Sequence, residues 1–272
     1  MCVNRSVPDA TSTAEHLSAI REAKPLIHNI TNFVVMNETA NAILALGALP
    51  VMAHAPEEVE EFARMAGAVV LNIGTLWPGL VDSMVLAGRA ANEAGVPVVF
   101  DPVGAGATAL RNDAARRILV EVDVALVRGN AAEVAFLAGE SAEIRGVECM
   151  GVAGETAVTA QALARQHGCA VAVTGAVDHI ADAERVFVVA NGHPLMGRIT
   201  GSGCMSSTMC ASFLAVASDY AAAAAEALAA FGVAGELAAV RSQGPGTFHA
   251  ALYDALDALD ATALTSVRIE TA

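Results

Sequence analysis

The sequence predicts an α/β fold with a central, mainly parallel sheet, on three observations. Over 272 residues, 55% are hydrophobic but only 4% are aromatic, so the apolar mass is mostly Ala, Val and Leu. That balance suits Val-rich buried strands covered on both faces by Ala-rich helices. Short apolar runs also alternate with amphipathic helical patterns along most of the chain. Links between them are short, which predicts right-handed crossovers and one open sheet.

The strands come first. Leu26–Ile30, Leu49–Ala53, Ala68–Ile73, Val96–Asp101, Asp123–Arg128 and Cys169–Thr174 are each rich in Val, Ile or Leu and bounded by Gly, Pro or charge. Arg185–Ala190 and Ser266–Ile269 are weaker patterns, placed at an edge. Helices fill the intervals. One starts near Asn32 and stops at Gly47, and another follows Pro56 with Glu57, Glu58, Glu60 and Glu61 in its first turns, where acids favour the helix dipole. Pro78 to Ala94, ended by Gly95, is a third, and Arg111–Val120, Ala131–Ala138 and Glu155–His167 continue the series. After about Thr200 the pattern changes to long Ala-rich helices over Gly203–Ala217, Tyr220–Arg241 and Pro245–Leu259. No Pro/Ser-rich linker or internal repeat divides the chain. Residues 1–272 therefore read as a single domain, with 1–16 as a loosely attached N-terminal tail.

Charge and composition exclude several function classes. Twenty-nine acids against 15 Lys and Arg give a net charge of −14, which argues against nucleic-acid and anionic-membrane partners. The most apolar stretch, Met205 to Val240, is broken by Asp219, Glu226 and Glu236, unlike a membrane span. Lys24 is the only lysine, so neither a Walker A loop nor a protein-kinase strand lysine exists. Five cysteines without C-x-x-C and a polar start without an apolar signal core point to a reduced cytoplasm. The two N-x-T sequons are then chance matches. The histidines lack zinc spacing, and no G-x-S-x-G elbow is present.

Ligands of such sheets sit beyond the carboxyl ends of the strands. Asp101, Arg128, Thr174 and the loop before Gly203 are therefore the expected site. Thr200-Gly201-Ser202-Gly203-Cys204 opens a helix. Its glycines let backbone N–H groups approach an anion, and the helix start adds free donors and a positive dipole end. Cys204 in that field is expected to have a depressed thiol pKa. The alternative is a glycine turn with a small buried Cys. Asp101 ends an apolar strand in Phe100-Asp101-Pro102-Val103-Gly104-Ala105-Gly106-Ala107, where a carboxylate suits a hydrated Mg²⁺ near phosphates or merely caps a turn. Gly104-x-Gly106-x-x-Ala109 also matches a dinucleotide fingerprint, with Glu121 and Asp123 downstream, and keeps a nicotinamide-dependent oxidoreductase open as a rival. Against it, an Asp-Pro intervenes and the next strand ends in Arg128 rather than an acid. In Arg128-Gly129-Asn130-Ala131-Ala132-Glu133, Asn130 caps a helix and Glu133 falls at its third position. The functional reading instead puts Arg128 on phosphate and Glu133 on metal-bound water. Thr174 touches a nucleotide or closes a turn. His28 is read as a structural histidine and the methionines as core filler.

Taken in order, these segments resemble the hydroxyethylthiazole kinases of thiamine salvage. The stretches are His28-Asn29-Ile30-Thr31-Asn32, Pro50-Val51-Met52-Ala53, Leu71-Asn72-Ile73-Gly74-Thr75, Asp101 to Ala107, Arg128 to Glu133, Thr200 to Cys204 and Gly244-Pro245-Gly246-Thr247-Phe248. The resemblance runs from about Leu17 to Leu259 and is weakest at the N-terminal tail and over Ser141–Thr156. It implies a ribokinase-like three-layer α/β/α fold. It implies ATP-dependent phosphorylation of the primary alcohol of 4-methyl-5-(2-hydroxyethyl)thiazole by a homotrimer with active sites at subunit interfaces. Carried over by motif, Arg128 and Thr174 bind ATP, Asn32, Met52 and Gly201 contact the thiazole, and Asp101 and Glu133 organise Mg²⁺. Cys204 occupies the place where most ribokinase-like enzymes keep an Asp. With Gly201, Ser202 and Gly203 it forms an anion hole for the moving phosphoryl group, and it serves as a positioning group and modest base. The nearest alternative substrate is the hydroxymethylpyrimidine alcohol, and a further alternative is a relative that binds without turnover.

Overall fold

The computed structural model describes residues 7–139 and 153–272. Cys149 and most of the Ser141–Thr156 stretch lie outside them. The chain order is α1 (Ala10–Ala23), β1 (Leu26–Ile30), α2 (Met36–Leu46), β2 (Leu49–Val51), α3 (Val59–Met65), β3 (Ala68–Asn72), α4 (Pro78–Ala94), β4 (Val98–Asp101), α5 (Ala109–Glu121), β5 (Leu126–Asn130) and α6 (Ala131–Leu137). It continues with α7 (Ala153–His167), β6 (Ala170–Thr174), β7 (Asp178–Ala181), β8 (Val186–Val189), α8 (Ser202–Leu214), α9 (Tyr220–Val240), α10 (Pro245–Asp257) and β9 (Ile269–Thr271).

One sheet holds these strands in the order β2-β1-β3-β4-β5-β6-β7-β8-β9. The pairings from β2 through β6 are parallel, and β7, β8 and β9 add antiparallel strands at one edge. β3 and β4 are buried throughout, as expected of strands covered on both faces. Residues alternate between two cores. Ile27, Val70, Val99 and Leu126 face one, with α8, α9 and α10, while Ile30, Val69, Leu71 and Val127 face the other, with α3, α4 and Leu163 of α7. The result is three layers, helix over sheet over helix.

Besides shifted boundaries, such as the last strand at Ile269–Thr271 where Ser266–Ile269 is expected, two elements differ from the sequence reading. β7 escapes notice because its DHIA sequence is short and half polar. The second is the N-terminus, where residues 10–16 are not a loose tail but the first turns of α1. Asp9 starts that helix by accepting from the Thr11 and Ser12 amides, and Ser12 Oγ closes the capping box. Thr13, Leu17 and Ile20 are buried on its inner face.

A buried charge fixes α1 in place. α9 is long and apolar enough to cross a membrane by length and composition, but 78% of that stretch is buried inside the protein. Glu226 lies within it, 1% exposed. Its carboxylate accepts from Ser12 Oγ at 2.5 Å and pairs with His16 Nδ1 at 2.5 Å. That hydrogen bond to Glu226 holds the His16 pKa above its usual 6.5, against the effect of partial burial. His16→Ala leaves Glu226 in the core with Ser12 alone. Unfolding in urea is expected to show a loss of about 2 kcal/mol, below the range for fully buried pairs because His16 is partly exposed. The folded ring binds its proton more tightly than the unfolded one. The contribution is therefore complete below pH 6.5 and fades as pH rises through the higher folded value. A wild-type minus variant difference that grows with pH would contradict this latch.

Candidate functional site

The polar groups gather at the carboxyl edge of the sheet, where the ends of β1, β3, β4, β5 and β6 face the N-terminus of α8. Gly201 caps α8 at φ 82°, in the left-handed region, and a Cβ there would meet Val35 Cγ1 at 2.8 Å. No side chain among the described residues caps this helix. The first-turn amides of Ser202, Gly203 and Cys204 thus have neither an intrahelical acceptor nor a side-chain one. At Gly203 a Cβ would stand 3.0 Å from Arg128 Nη1, so a guanidinium lies directly against the Gly203 backbone in the first turn of α8.

Asp101 closes β4 fully buried. Its Oδ2 accepts from Asn72 Nδ2 at 2.7 Å and Ser207 Oγ at 2.8 Å, and Arg128 Nη1 stands 3.8 Å away. Its Oδ1 is buried without a hydrogen-bond partner among the described residues. Burial pushes the Asp101 pKa up, while Arg128, Ser207 and Asn72 pull it down. Arg128 Nη2 donates to Thr174 Oγ1, and its buried Nε–H has no acceptor among the described residues. A guanidinium with an unused donor beside open amides is an anion site.

Asn32 and Cys204 join the same cluster. Asn32 Nδ2 donates to Asn72 Oδ1 at 2.9 Å and lies 3.5 Å from Cys204 Sγ. Asn72 Nδ2 also reaches Cys204 Sγ, at 3.2 Å. The Cys204 thiol is pushed up to about 11, first by burial and then by the charge of Asp101. This corrects the depressed value expected from the helix start. The dipole is there, but desolvation and a neighbouring carboxylate outweigh it, which favours the thiol form of Cys204 near neutral pH.

Met52 and Glu133 attach to the cluster through other residues. With its proton on Nδ1, the tautomer the network favours, His54 donates to Met52 O at 2.9 Å and accepts the Thr31 N–H at 3.2 Å. It thereby ties the Met52 loop to the segment carrying Asn32. Glu133 forms the expected capping box with Asn130. Its Oε2 accepts the Asn130 amide and its Oε1 the Gly104 amide, each at 2.8 Å, and its charge reaches Asp101. Ser202 contributes its place in the first turn of α8. Asn72, Ser207 and His54 carry no role in the sequence reading. Asn72 had a visible signal, a polar residue ending an apolar strand as Asp101 does. Ser207 lies three residues after Cys204, on one helical face.

The glycine fingerprint does not serve a dinucleotide. The Gly104 amide is taken by Glu133, and that of Gly106 by Asn112 Oδ1 at 2.6 Å. Loop 102–108 separates β4 from α5, where a tight turn is required.

Known proteins resemble this chain over most of its length. A hydroxyethylthiazole kinase of Methanoculleus marisnigri is 52% identical over 251 residues, covering 92% of this chain and 90% of its own. The structure of hydroxyethylthiazole kinase from Pyrococcus horikoshii superposes with a TM-score of 0.88 at 46% identity, covering 96% of this chain and 99% of that one. A ribokinase-like superfamily protein of Enterococcus faecalis shares the fold, with a TM-score of 0.60 at 14% identity, covering 85% of this chain and 86% of its own. The sequence profile of the hydroxyethylthiazole kinase family matches residues 17–262, and with uncapped α8 amides, Arg128 and Asp101 meeting at the carboxyl edge of a ribokinase-like sheet, the chain belongs to that family.

Proposed function

We propose that this chain transfers the terminal phosphoryl group of ATP to the primary alcohol of 4-methyl-5-(2-hydroxyethyl)thiazole, a step of thiamine salvage. The observation carrying this reading is the meeting of the open α8 amides, the Arg128 guanidinium and the Asp101 carboxylate beside the Asn32–Cys204 wall. Phosphoryl transfer asks for alignment and charge neutralisation more than for covalent chemistry. Arg128 and Thr174 hold the nucleotide phosphates. The amides of Ser202, Gly203 and Cys204 receive the oxygens of the moving phosphoryl group. Asn32, Met52 and Gly201 form the acceptor pocket, whose half-buried methionine suits a neutral, sulfur-bearing ring.

The donor set fits a hydrated Mg²⁺. Asp101 offers a buried oxygen without a partner among the described residues, and each Glu133 oxygen keeps a lone pair beyond its backbone bond. Mg²⁺ takes few protein ligands and keeps waters and substrate phosphates, so two carboxylates suffice to hold it. When bound there it offsets the charge of the triphosphate. Asp101 and Glu133 would hold that hydrated ion, and Arg128 adds positive charge beside Asp101.

Cys204 shapes the acceptor wall and is not a base. Cys204→Ser is therefore expected to keep activity within about 10-fold, against the 10²–10⁴ that loss of a general base costs. Wild-type kcat is likewise expected to lack a tenfold rise per pH unit below the thiol value of about 11. Either a hundredfold loss or that slope would return Cys204 to base chemistry.

We also propose a homotrimer with sites at subunit interfaces. Phe33 (61% exposed) and Trp77 (40%) stack at 5.2 Å, at the mouth beside Asn32 and Gly74, and Val34 is exposed next to them. Such an apolar rim favours cover by a neighbouring subunit. Sedimentation is expected to give three copies of the 27.6 kDa chain, and a monomer would refute this assembly. A cytoplasmic setting accords with free thiols at Cys169, Cys204 and Cys210. The function itself is tested by coupled ADP release with the thiazole alcohol, the hydroxymethylpyrimidine alcohol and no acceptor. Thiazole-dependent release supports the reading, and preference for the pyrimidine replaces the substrate. Release independent of any acceptor overturns the kinase assignment.

A further inference from the structure

The two oxygens of Asp101 are in different states. Oδ2 takes both donors, Asn72 Nδ2 and Ser207 Oγ, whereas Oδ1 is buried with no partner among the described residues. The torsion about a carboxyl group is broad and two-fold, so an unsupported carboxylate swaps its oxygens freely. Two donors on one oxygen break that symmetry.

Backbone amides set the direction of the donors. The Val34 N–H donates to Asn32 Oδ1 at 3.1 Å, which leaves Asn32 Nδ2 to face Asn72. The Gly74 N–H donates to Asn72 Oδ1 at 2.9 Å, which leaves Asn72 Nδ2 to face Asp101 and Cys204. Backbone N–H groups cannot act as acceptors, so a flip of either amide would set N–H against N–H, and a flip of Asn72 would also set its oxygen against Asp101 Oδ2. Ser207 supplies the second donor from α8, the helix whose first turn carries the open amides.

We infer that Asn72 and Ser207 are positioning residues that lock the rotation of the Asp101 carboxylate and present Oδ1 to the metal–nucleotide held against the α8 amides. This assignment rests on the phosphoryl-transfer reading above. Asn72 also spans the two halves of the reaction, since the same side chain holds Asn32 of the acceptor pocket and Asp101 of the phosphate side. Ser207 touches the phosphate side alone, which makes its variant the cleaner probe.

The test uses the full-length protein and two readouts. Calorimetry measures the affinity for a nonhydrolysable ATP analogue with and without Mg²⁺, and steady-state kinetics separates kcat from the KM for the thiazole alcohol. Ser207→Ala is expected to weaken Mg²⁺-dependent nucleotide binding and to lower kcat, each by about 10- to 100-fold, with thiazole KM unchanged. Ser207→Thr keeps the hydroxyl and is expected to restore both. Asn72→Ala is expected to show the same losses and a raised thiazole KM. Wild-type values for Ser207→Ala in both readouts, or equal losses in Ser207→Thr, would overturn the inference by leaving Ser207 a packing role. A wild-type protein inactive on the thiazole alcohol would sink the kinase reading instead, while the calorimetric arm would still report whether Ser207 and Asn72 act through Asp101.

Discussion

Asp101→Asn is expected to lower kcat by about 10²–10³ with little change in thiazole KM, because a preorganised charge at a transferring group is worth that much in rate. The substitution keeps the shape of the side chain and removes its charge. The carboxylate sits at 0% exposure, where desolvation opposes ionisation. Arg128 and two donors on Oδ2 oppose that cost and favour the carboxylate. The change removes one partner of a buried pair and leaves Arg128, 9% exposed, without its counter-charge. The variant is therefore expected to melt below the wild type while remaining folded at assay temperature. Loss of turnover measured on that folded protein, larger than its unfolded fraction accounts for, separates a functional carboxylate from a structural one. Unchanged turnover at saturating ATP and Mg²⁺ would remove Asp101 from the reaction.

Local rules made some elements legible to the residue. Pro78 at the first helical position and Gly95 just past the end bracket α4, and β1 stands out as an apolar run between Pro25 and a polar segment. Asp101, Arg128 and Thr174 were visible for a related reason, as polar groups closing apolar strands at the edge where ligands bind. α1 was not legible. Its apolar face is only Thr13, Leu17 and Ile20, and its polar anchor, Glu226, is 210 residues from His16 in sequence. The partners of Asn72 and Ser207 were hidden in the same way, although Asn72 itself stood out as a polar residue near the end of an apolar strand. Their roles depend on which side of α8 meets which strand end, which spacing does not record. The Cys204 thiol shows the limit most directly. Sequence displays the helix start that would lower its pKa, but not the burial and the Asp101 charge that raise it.

Arg128→Ala is expected to cost more than any other single change, about 10³ in kcat/KM for ATP, since a guanidinium at a transferring phosphoryl group is worth at least that. Arg128 bonds Thr174, lies against the Gly203 turn, faces Asp101 at 3.8 Å and keeps a buried Nε–H without an acceptor among the described residues. Truncation removes phosphate contacts and also leaves Asp101 without its counter-charge. That second effect predicts a separate loss of stability of about 3 kcal/mol, the cost of stranding one member of a buried pair. The two effects divide in a double variant. Asp101→Asn in the Arg128→Ala background removes the stranded charge, so stability is expected to return while ATP turnover stays low. Denaturant unfolding and initial rates on the four proteins of this cycle measure both. If turnover and stability recovered together, Arg128 would be a scaffold for Asp101 and not a phosphate ligand. If stability failed to recover, the 3.8 Å approach would carry no energetic coupling.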